Sequence, residues 1–396
     1  MASTYGTISI GVKAPVIREG DNVAQMVADS VMKASKQLRL PIEKGDVIAI
    51  TESIVARGQG NYVTVDEIAA NVAEKFGNAK IGIVFPILSR NRFSMLLKGI
   101  CRGAKGGVVL LLNLPADEVG NHLVSEEEWN SSFVRNLDVI TEEQYHKAFG
   151  RPKHKFTGID YVEYYKCIAA GEGCDMEILF AERPQHILPY TRSILCCDIH
   201  TRERTKAELK EYGVERIYTL ADICCTQNMS TGYNVQYGLL GSNKADEERV
   251  KLFPHDADGI VHLVQYLIYR DSGVDAEVMV YGDGAFKDPV GGIWELADPV
   301  VGVAYTSGLK GRPNELKLKA LADGKYKELS GETLKEAIKE EIKSKEKNLV
   351  GNMASQGTTP RQLTDLLGSL ADLTSGSGDK GTPIVWIKNY FSTYAD

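Results

Sequence analysis

Apolar and polar residues follow two different periods in the first third of the chain. Mostly apolar runs at 46–50, 81–85 and 108–112 predict buried strands. A helix is predicted at 66–76, between the first two of these strands. Before the first strand, an apolar stripe at helical spacing follows Asp21 and predicts a helix with that aspartate as its N-cap. The stripe consists of Val23, Met26, Val27, Val31 and Leu38.

The middle of the chain repeats the alternation of strands and helices. Strands are predicted at 177–180, 193–197 and 216–220, with a helix at 201–212 before the last of them. This βαβ-like order is typical of an α/β unit. The later stretch 314–348 is highly charged, and its single apolar stripe predicts a solvated surface helix that begins at the capping box Thr333–Glu336.

Composition limits the class of protein. The 396 residues are 43% hydrophobic, which is enough for a large core and two domains. The net charge is −7 and no basic stretch alternates with aromatic residues, so nucleic acid is not an expected partner. No apolar run reaches the roughly 18 residues that span a bilayer, and the first residues lack the pattern of a signal peptide. Seven cysteines without a C-x-x-C spacing suit a reducing compartment. We therefore expect a cytoplasmic protein that is not bound to a membrane.

A carboxylate between two glycines is the first candidate for chemistry. The strand predicted at 277–280 leads into Tyr281-Gly-Asp-Gly284, with Lys287 and Asp288 close behind. Glycines permit a close backbone approach to a ligand, and α/β proteins place ligand chemistry at the carboxyl ends of strands. Asp283 is therefore a candidate ligand for a hard metal ion, although an acidic turn between two strands explains the same residues.

A second glycine-rich segment lies near the C-terminus. Gly376, Gly378 and Gly381 form a G-x-G-x-x-G pattern, but a helix is predicted before it at 359–373 and a strand after it at 383–387. The dinucleotide fingerprint needs the reverse order, so a Rossmann site is rejected here. The loop can still bind phosphates through backbone N–H groups, while a simple helix C-cap remains the alternative.

Other common sites are not supported. Cys196, Cys197 and His200 offer metal ligands, but no second pair with zinc spacing exists, and neighbouring strand residues point to opposite faces. We interpret them as a buried strand that ends in a polar turn. Neither G-x-S-x-G nor a P-loop pattern occurs, which argues against a serine hydrolase of that type and a P-loop nucleotidase.

Taken in order, several segments resemble the coenzyme F420-0:L-glutamate ligase family. They are 11–21, 45–60, 252–258, 280–284 and 373–382 with the strand that follows. The resemblance covers residues 5 to about 121 and about 236 to 390. It implies an α+β, mixed-sheet, two-part ligase fold with an α/β insertion. The implied division is 1–121 and 236–396 for the ligase-like parts and 122–235 for the insertion. It also implies a homodimer.

The resemblance further implies site residues. Asp283 and Arg57 take catalytic positions, and Asp117, Asp283, Gly284 and Ser377 take metal positions. The implied nucleotide-binding residues are Val12, Lys13, Ala14, Pro15, Thr51, Glu52, Arg57, Asn121, Gly376, Ser377, Gly378, Asp379, Lys380 and Gly381.

The chain also departs from the family pattern. Gly284 stands where the family has a metal-binding threonine, and Ser377 stands in place of a glutamate or glutamine. Asp117 with Asn121 is the preferred match for a further aspartate and asparagine; the rival, Gly241-Ser-Asn243, puts Leu240 at the aspartate position.

The chemistry implied by the resemblance is amide ligation. GTP would phosphorylate a small-molecule carboxylate acceptor, and an amino acid such as L-glutamate would attack the acyl phosphate, with Mg²⁺ or Mn²⁺ bound to carboxylates. A nucleotide-binding regulatory protein without turnover and another phosphoryl- or nucleotidyl-transfer enzyme on the same scaffold remain alternatives.

Overall fold

The structure is a computed structural model that describes residues 5–117, 120–199, 201–227, 232–283, 300–349, 351–355, 362–375 and 378–396. The strands are β1 Ile8–Val12, β2 Val47–Thr51, β3 Tyr62–Thr64, β4 Ile81–Val84, β5 Val108–Leu112, β6 Ile140–Thr141, β7 Met176–Phe180, β8 Ser193–Cys196, β9 Arg216–Thr219, β10 Asn243–Lys244, β11 Arg249–Lys251, β12 Glu277–Asp283, β13 Val300–Tyr305 and β14 Ile384–Lys388. The helices are α1 Val23–Leu38, α2 Glu52–Gly58, α3 Val65–Phe76, α4 Phe93–Gly103, α5 Glu126–Ser131, α6 Glu142–Phe149, α7 Tyr161–Gly171, α8 Arg202–Glu211, α9 Ala257–Ser272, α10 Leu318–Ala320, α11 Gly331–Ser344 and α12 Leu363–Ser375.

The chain forms two compact units, each assembled from separate parts of the sequence. Of the residues that the structure describes, those within 1–58, 256–282 and 300–396 form the first unit, and those within 59–255 together with 283 form the second. Strands β4 and β5 pair directly with β7 and β8, so they share a sheet with the segment predicted to be an insertion. The observed boundaries near residues 58 and 255 therefore differ from the predicted boundaries at 121 and 235.

A five-stranded mixed sheet forms the first unit, in the order β1-β14-β2-β12-β13. Its central strand β2 has an unbroken apolar sequence because both of its faces are covered. On one face Ile48 and Ile50 join a buried cluster with residues of α1 and α9. On the other face Val47 and Ala49 pack with residues of α12. The predicted α+β class with mixed sheets is confirmed.

Two helix starts differ from the sequence-based prediction. The N-cap of α1 is Asn22, whose side-chain oxygen accepts from the backbone N–H of Gln25 at 3.1 Å. Asp21 instead accepts from the backbone N–H of Arg18. Helix α11 starts after Ser330, so Thr333 lies inside it and bonds back to the Ser330 carbonyl instead of forming the predicted capping box. Only Ile338 of α11 is buried, as expected for a surface helix.

The second unit contains two sheets. A three-stranded sheet has the order β10-β11-β3, and a six-stranded sheet has the order β6-β7-β5-β4-β8-β9. In the larger sheet β7, β5, β4, β8 and β9 are parallel, and the short edge strand β6 is antiparallel. The predicted strands of the middle segment are therefore present, and they belong to a doubly wound sheet that begins with β4.

Candidate active site

The predicted nucleotide segments of the first unit meet at one edge of its sheet. Strands β1 and β2 are both antiparallel to β14, and β12 is parallel to β2, so β1, β2 and β12 all end at the same edge. Strand β14 begins there. The paired residues at this edge are Val12 with Ile384, Ile384 with Ile50, and Tyr281 with Thr51. Carboxyl ends of strands are the usual position for ligands in sheets of this kind.

The N-terminal segment lies directly against the C-terminal glycine loop. The backbone N–H of Ala14 donates to the carbonyl of Gly381 at 3.2 Å. Gly11 packs so closely on Thr382 that a Cβ there would lie 3.2 Å from the threonine Cβ. Val12 is buried, whereas Lys13 and Pro15 are exposed. Residues at opposite ends of the sequence therefore lie in contact.

The glycine loop is a tight turn with open space beside it. A short 3₁₀ turn spans Gly378–Lys380, and Asp379 and Lys380 are exposed. Gly381 has φ +64°, and apart from its two chain neighbours no heavy atom of the described residues lies within 4 Å of the position that a Cβ would take. Gly376 and Ser377 lie outside the described residues. The described part of the loop therefore combines a left-handed backbone with space for a ligand.

The turn after β2 brings polar groups to the same edge. The backbone N–H of Thr51 donates to the carbonyl of Pro383 at 3.0 Å, which joins this turn to the loop before β14. Glu52 begins α2 and is 6% exposed. Arg57 is exposed in the last turn of α2. Lys13, Arg57 and Lys380 form no ion pair with another described residue, so their charges can face a solvent-borne anion.

Strand β12 ends at Asp283, two positions beyond Tyr281. Gly284 lies outside the described residues. Tyr281 itself is buried, and burial raises the pKa of its hydroxyl to about 12, with the Ser375 hydroxyl acting in the opposite direction. The backbone carbonyl of Ser375 accepts a hydrogen bond from the Thr382 hydroxyl at 2.6 Å. Tyr281, Ser375 and Thr382 were not predicted as site residues, although Tyr281 directly precedes the Gly-Asp-Gly motif.

Asp117 and Asn121, the preferred match for the family's further aspartate and asparagine, contact each other within the second unit. The backbone N–H and the side-chain amide of Asn121 donate to the two carboxylate oxygens of Asp117 at 2.9 and 2.8 Å. His154 was not predicted, and its Nε2 lies 3.3 Å from Asp117 Oδ2. Because His154 Nδ1 accepts from the Thr157 backbone, we assign the ring proton to Nε2. Protein groups thus already surround this carboxylate.

Metal coordination by Asp117 and Asp283 remains a prediction. Across the described ranges, no three His, Cys, Asp or Glu side chains form a group that could hold a metal ion. The predicted positions Gly284 and Ser377 fall in segments that the structure does not describe. All seven cysteines are free, and Cys196 and Cys197 are buried.

Comparison with known proteins identifies the class. The family model for F420-0:gamma-glutamyl ligase matches residues 11–389, which is nearly the whole chain. The mixed α/β fold described above is consistent with the α+β fold of this family, and membership of the family implies an amino-acid ligase. The chain belongs to the F420-0:gamma-glutamyl ligase family. No curated protein matches the chain. In the part of the chain that is described, no helix has the length and apolar character needed to cross a membrane.

Proposed function

We propose that this protein is a GTP-dependent, divalent-metal-dependent ligase that joins an amino acid such as L-glutamate to a small carboxylate acceptor through an acyl phosphate. Family membership supports the ligase class. The observation that carries the nucleotide assignment is the meeting of the segments at 12–15, 51–52 and 378–381 at one sheet edge. The proposal includes the cytoplasmic location and the homodimer that composition and family likeness favour.

Phosphate binding would use the backbone as well as side chains. Left-handed and tightly turned segments expose successive N–H groups, which form concave sites for anions. Lys13 and Lys380 are exposed on the two segments that the Ala14–Gly381 hydrogen bond joins. Arg57 can offer two parallel N–H donors to one phosphate, which a lysine cannot. These groups would compensate the charge of the triphosphate and hold its γ-phosphate toward the acceptor.

The proposed reaction has two bond-forming steps. A carboxylate oxygen of the acceptor attacks the γ-phosphorus, the bond to the bridging β–γ oxygen breaks, and GDP leaves with that oxygen. The amine of the amino acid then attacks the acyl carbon, the amide forms, phosphate leaves and the nitrogen loses a proton. A bound Mg²⁺ or Mn²⁺ would neutralise phosphate charge, and Asp283, the last residue of β12, would supply a carboxylate to it.

One pair of variants separates phosphate binding from turn geometry. Gly381 and Gly45 both belong to the first unit, have φ of +64° and +89°, and have open space at the Cβ position. Gly45 precedes β2 and therefore lies at the opposite end of that strand. Alanine at either position should cost about 1 kcal/mol of folding free energy, because a left-handed conformation disfavours a side chain.

The two variants should differ in nucleotide affinity. We expect Gly381→Ala to weaken GTP binding at least tenfold in calorimetric titration, since its methyl group enters the space beside the loop. Gly45→Ala should bind GTP like the unchanged protein. Equal affinities for all three proteins, with both variants folded, would remove the glycine loop from the nucleotide site.

A further inference from the structure

The larger sheet of the second unit reverses its direction of winding between β4 and β8. From β4 the chain adds β5 and then β7 on one side, and it returns to the other side of β4 with β8 and β9. At such a switch point the connections after the two neighbouring strands leave in opposite directions, which opens a crevice at their carboxyl ends. Open α/β sheets bind their ligands in that crevice. This crevice lies wholly within the second unit.

The structure contains a cavity at this switch point. It has a volume of about 40 Å³. The cavity is lined by residues of the connection after β4 and the start of α4, of the connection after β8, and of the segment 239–242. Ile87, Phe93, Ile199 and Leu240 are among them. Its lining is mainly apolar, and its size suits about three water-sized groups. The enclosed part therefore fits the branched end of a small apolar molecule.

The segment 239–242 is held in place over the cavity. The backbone N–H of Leu239 donates to the carbonyl of Leu220 at the end of β9, at 3.0 Å. Two residues beyond the segment, the backbone N–H of Lys244 donates to the carbonyl of Asn91 in the connection after β4, at 2.7 Å. The cavity is thus bounded by hydrogen-bonded backbone, which makes it a formed site.

A polar group without a partner lies among these apolar side chains. Ser242 lines the cavity and is only 2% exposed. Its Oγ has no hydrogen-bond partner within the described structure. A buried hydroxyl without a partner costs free energy, so such groups in native proteins usually mark a missing partner. A ligand atom that hydrogen-bonds to Ser242 would satisfy it.

The same cavity adjoins a favourable position for negative charge. Helix α4 has 11 residues and begins at Phe93. Its N-cap residue Arg92 forms no side-chain cap, and Ser89 accepts from the backbone N–H of Arg92 at its hydroxyl and from that of Ser94 at its carbonyl. Both Arg92 and Phe93 line the cavity. The start of a helix attracts anions, and an arginine beside it strengthens the preference. The connection 85–92 contains no glycine, so it lacks the close backbone approach that a dinucleotide pyrophosphate needs.

We propose that the second unit binds a small molecule with a branched apolar body and a single anionic group at the switch point between β4 and β8. The apolar body occupies the cavity, and the oxygen atoms of the anionic group accept from Ser242 and face Arg92 and the start of α4. This site is separate from the proposed nucleotide edge, and its existence does not depend on the ligase reaction.

Binding can be tested without nucleotide, on the full chain. Isovalerate and isobutyl phosphate share a branched body and differ in the anion, and isovaleramide is a neutral counterpart of isovalerate. We expect one of the two anions to bind at millimolar concentration or better in ligand-detected NMR. Isovaleramide should bind at least tenfold more weakly, because it lacks the charge that Arg92 recognises.

Two variants test the residues, with a matched control. Ser242→Ala should weaken the anion's affinity about fivefold, and Arg92→Met about tenfold or more. Ser193→Ala changes another buried serine at the opposite end of β8 and should bind normally. If Ser242→Ala does not fold, Arg92→Met alone decides. Absence of binding by both anions, equal binding of the amide, or unchanged affinity in the folded variants would overturn the proposal.

Discussion

Replacement of Asp46 by asparagine should loosen the pairing of β2 with β14. Asp46 is 1% exposed and directly precedes β2. Its Oδ2 accepts from the backbone N–H of Glu43 at 3.0 Å, from Trp386 Nε1 at 2.9 Å and from Lys388 Nζ at 2.8 Å. Lys388 is 3% exposed, so the variant would leave a buried ammonium with less compensation.

The expected loss follows from these three bonds. Hydrogen bonds to a charged group contribute about 1 kcal/mol more than neutral ones, so three of them lose about 3 kcal/mol when the charge is removed. This agrees with the roughly 3 kcal/mol or more that breaking a buried ion pair costs. Lys388 keeps the Pro41 carbonyl at 2.7 Å and the half-exposed Glu43 carboxylate at 3.0 Å, which limits the loss.

Hydrogen exchange is the suitable assay, because a chain with two units need not unfold in one step. The opening free energy of amides in β2 and β14 should fall by about 3 kcal/mol in Asp46→Asn. The control Asp29→Asn changes an exposed residue and should stay within about 0.5 kcal/mol. The double variant Asp46→Asn/Lys388→Met should recover most of the loss, since the buried ammonium is gone. An Asp46→Asn protein that exchanges like Asp29→Asn would refute the reasoning.

Two other replacements should have separable effects. Asp283→Asn should lower GTP-dependent turnover by orders of magnitude in a steady-state assay while the melting temperature changes little, because a residue at the end of a strand contributes little to the core; normal turnover would remove it from the site. Burial raises the pKa of Asp198 from 3.8, so the stability that this carboxyl contributes is present at low pH and is lost as pH rises through its folded-state pKa. Asp198→Asn should therefore become more stable relative to the unchanged protein between pH 4 and pH 7, measured by hydrogen exchange of amides in β8, and a constant difference would contradict this.

The local elements were largely predictable from the sequence, because their signals are local. The unbroken apolar run of β2 and the pattern of α3 depend on burial within a few residues. The start of α1 was missed by one residue because Asp21 and Asn22 are both good caps, and only the geometry selects between them. Cap position is thus less predictable than the presence of the helix.

The grouping of strands was not predictable in the same way. The apolar run of β4 indicates a buried strand but does not show which strands lie beside it. Its neighbours are the next strand, β5, and β8, which follows only after β6 and β7. At the candidate site, the family resemblance assigned Ala14 and Gly381 to nucleotide-binding segments, but the hydrogen bond between them was not predicted. The approach of His154 to Asp117 had no signal in either source, because it depends on how two loops fold.

The most direct test of the central claim is a ligation assay on the full chain. GTP, Mg²⁺, L-glutamate and a panel of small carboxylates are incubated with the protein, and amide products and phosphate are measured together by mass spectrometry and a phosphate assay. The account predicts that phosphate and GDP appear only when both acceptor and amino acid are present, with one amide formed for each phosphate. Phosphate release without an acceptor, or tight GTP binding with no amide for any acceptor, would contradict it.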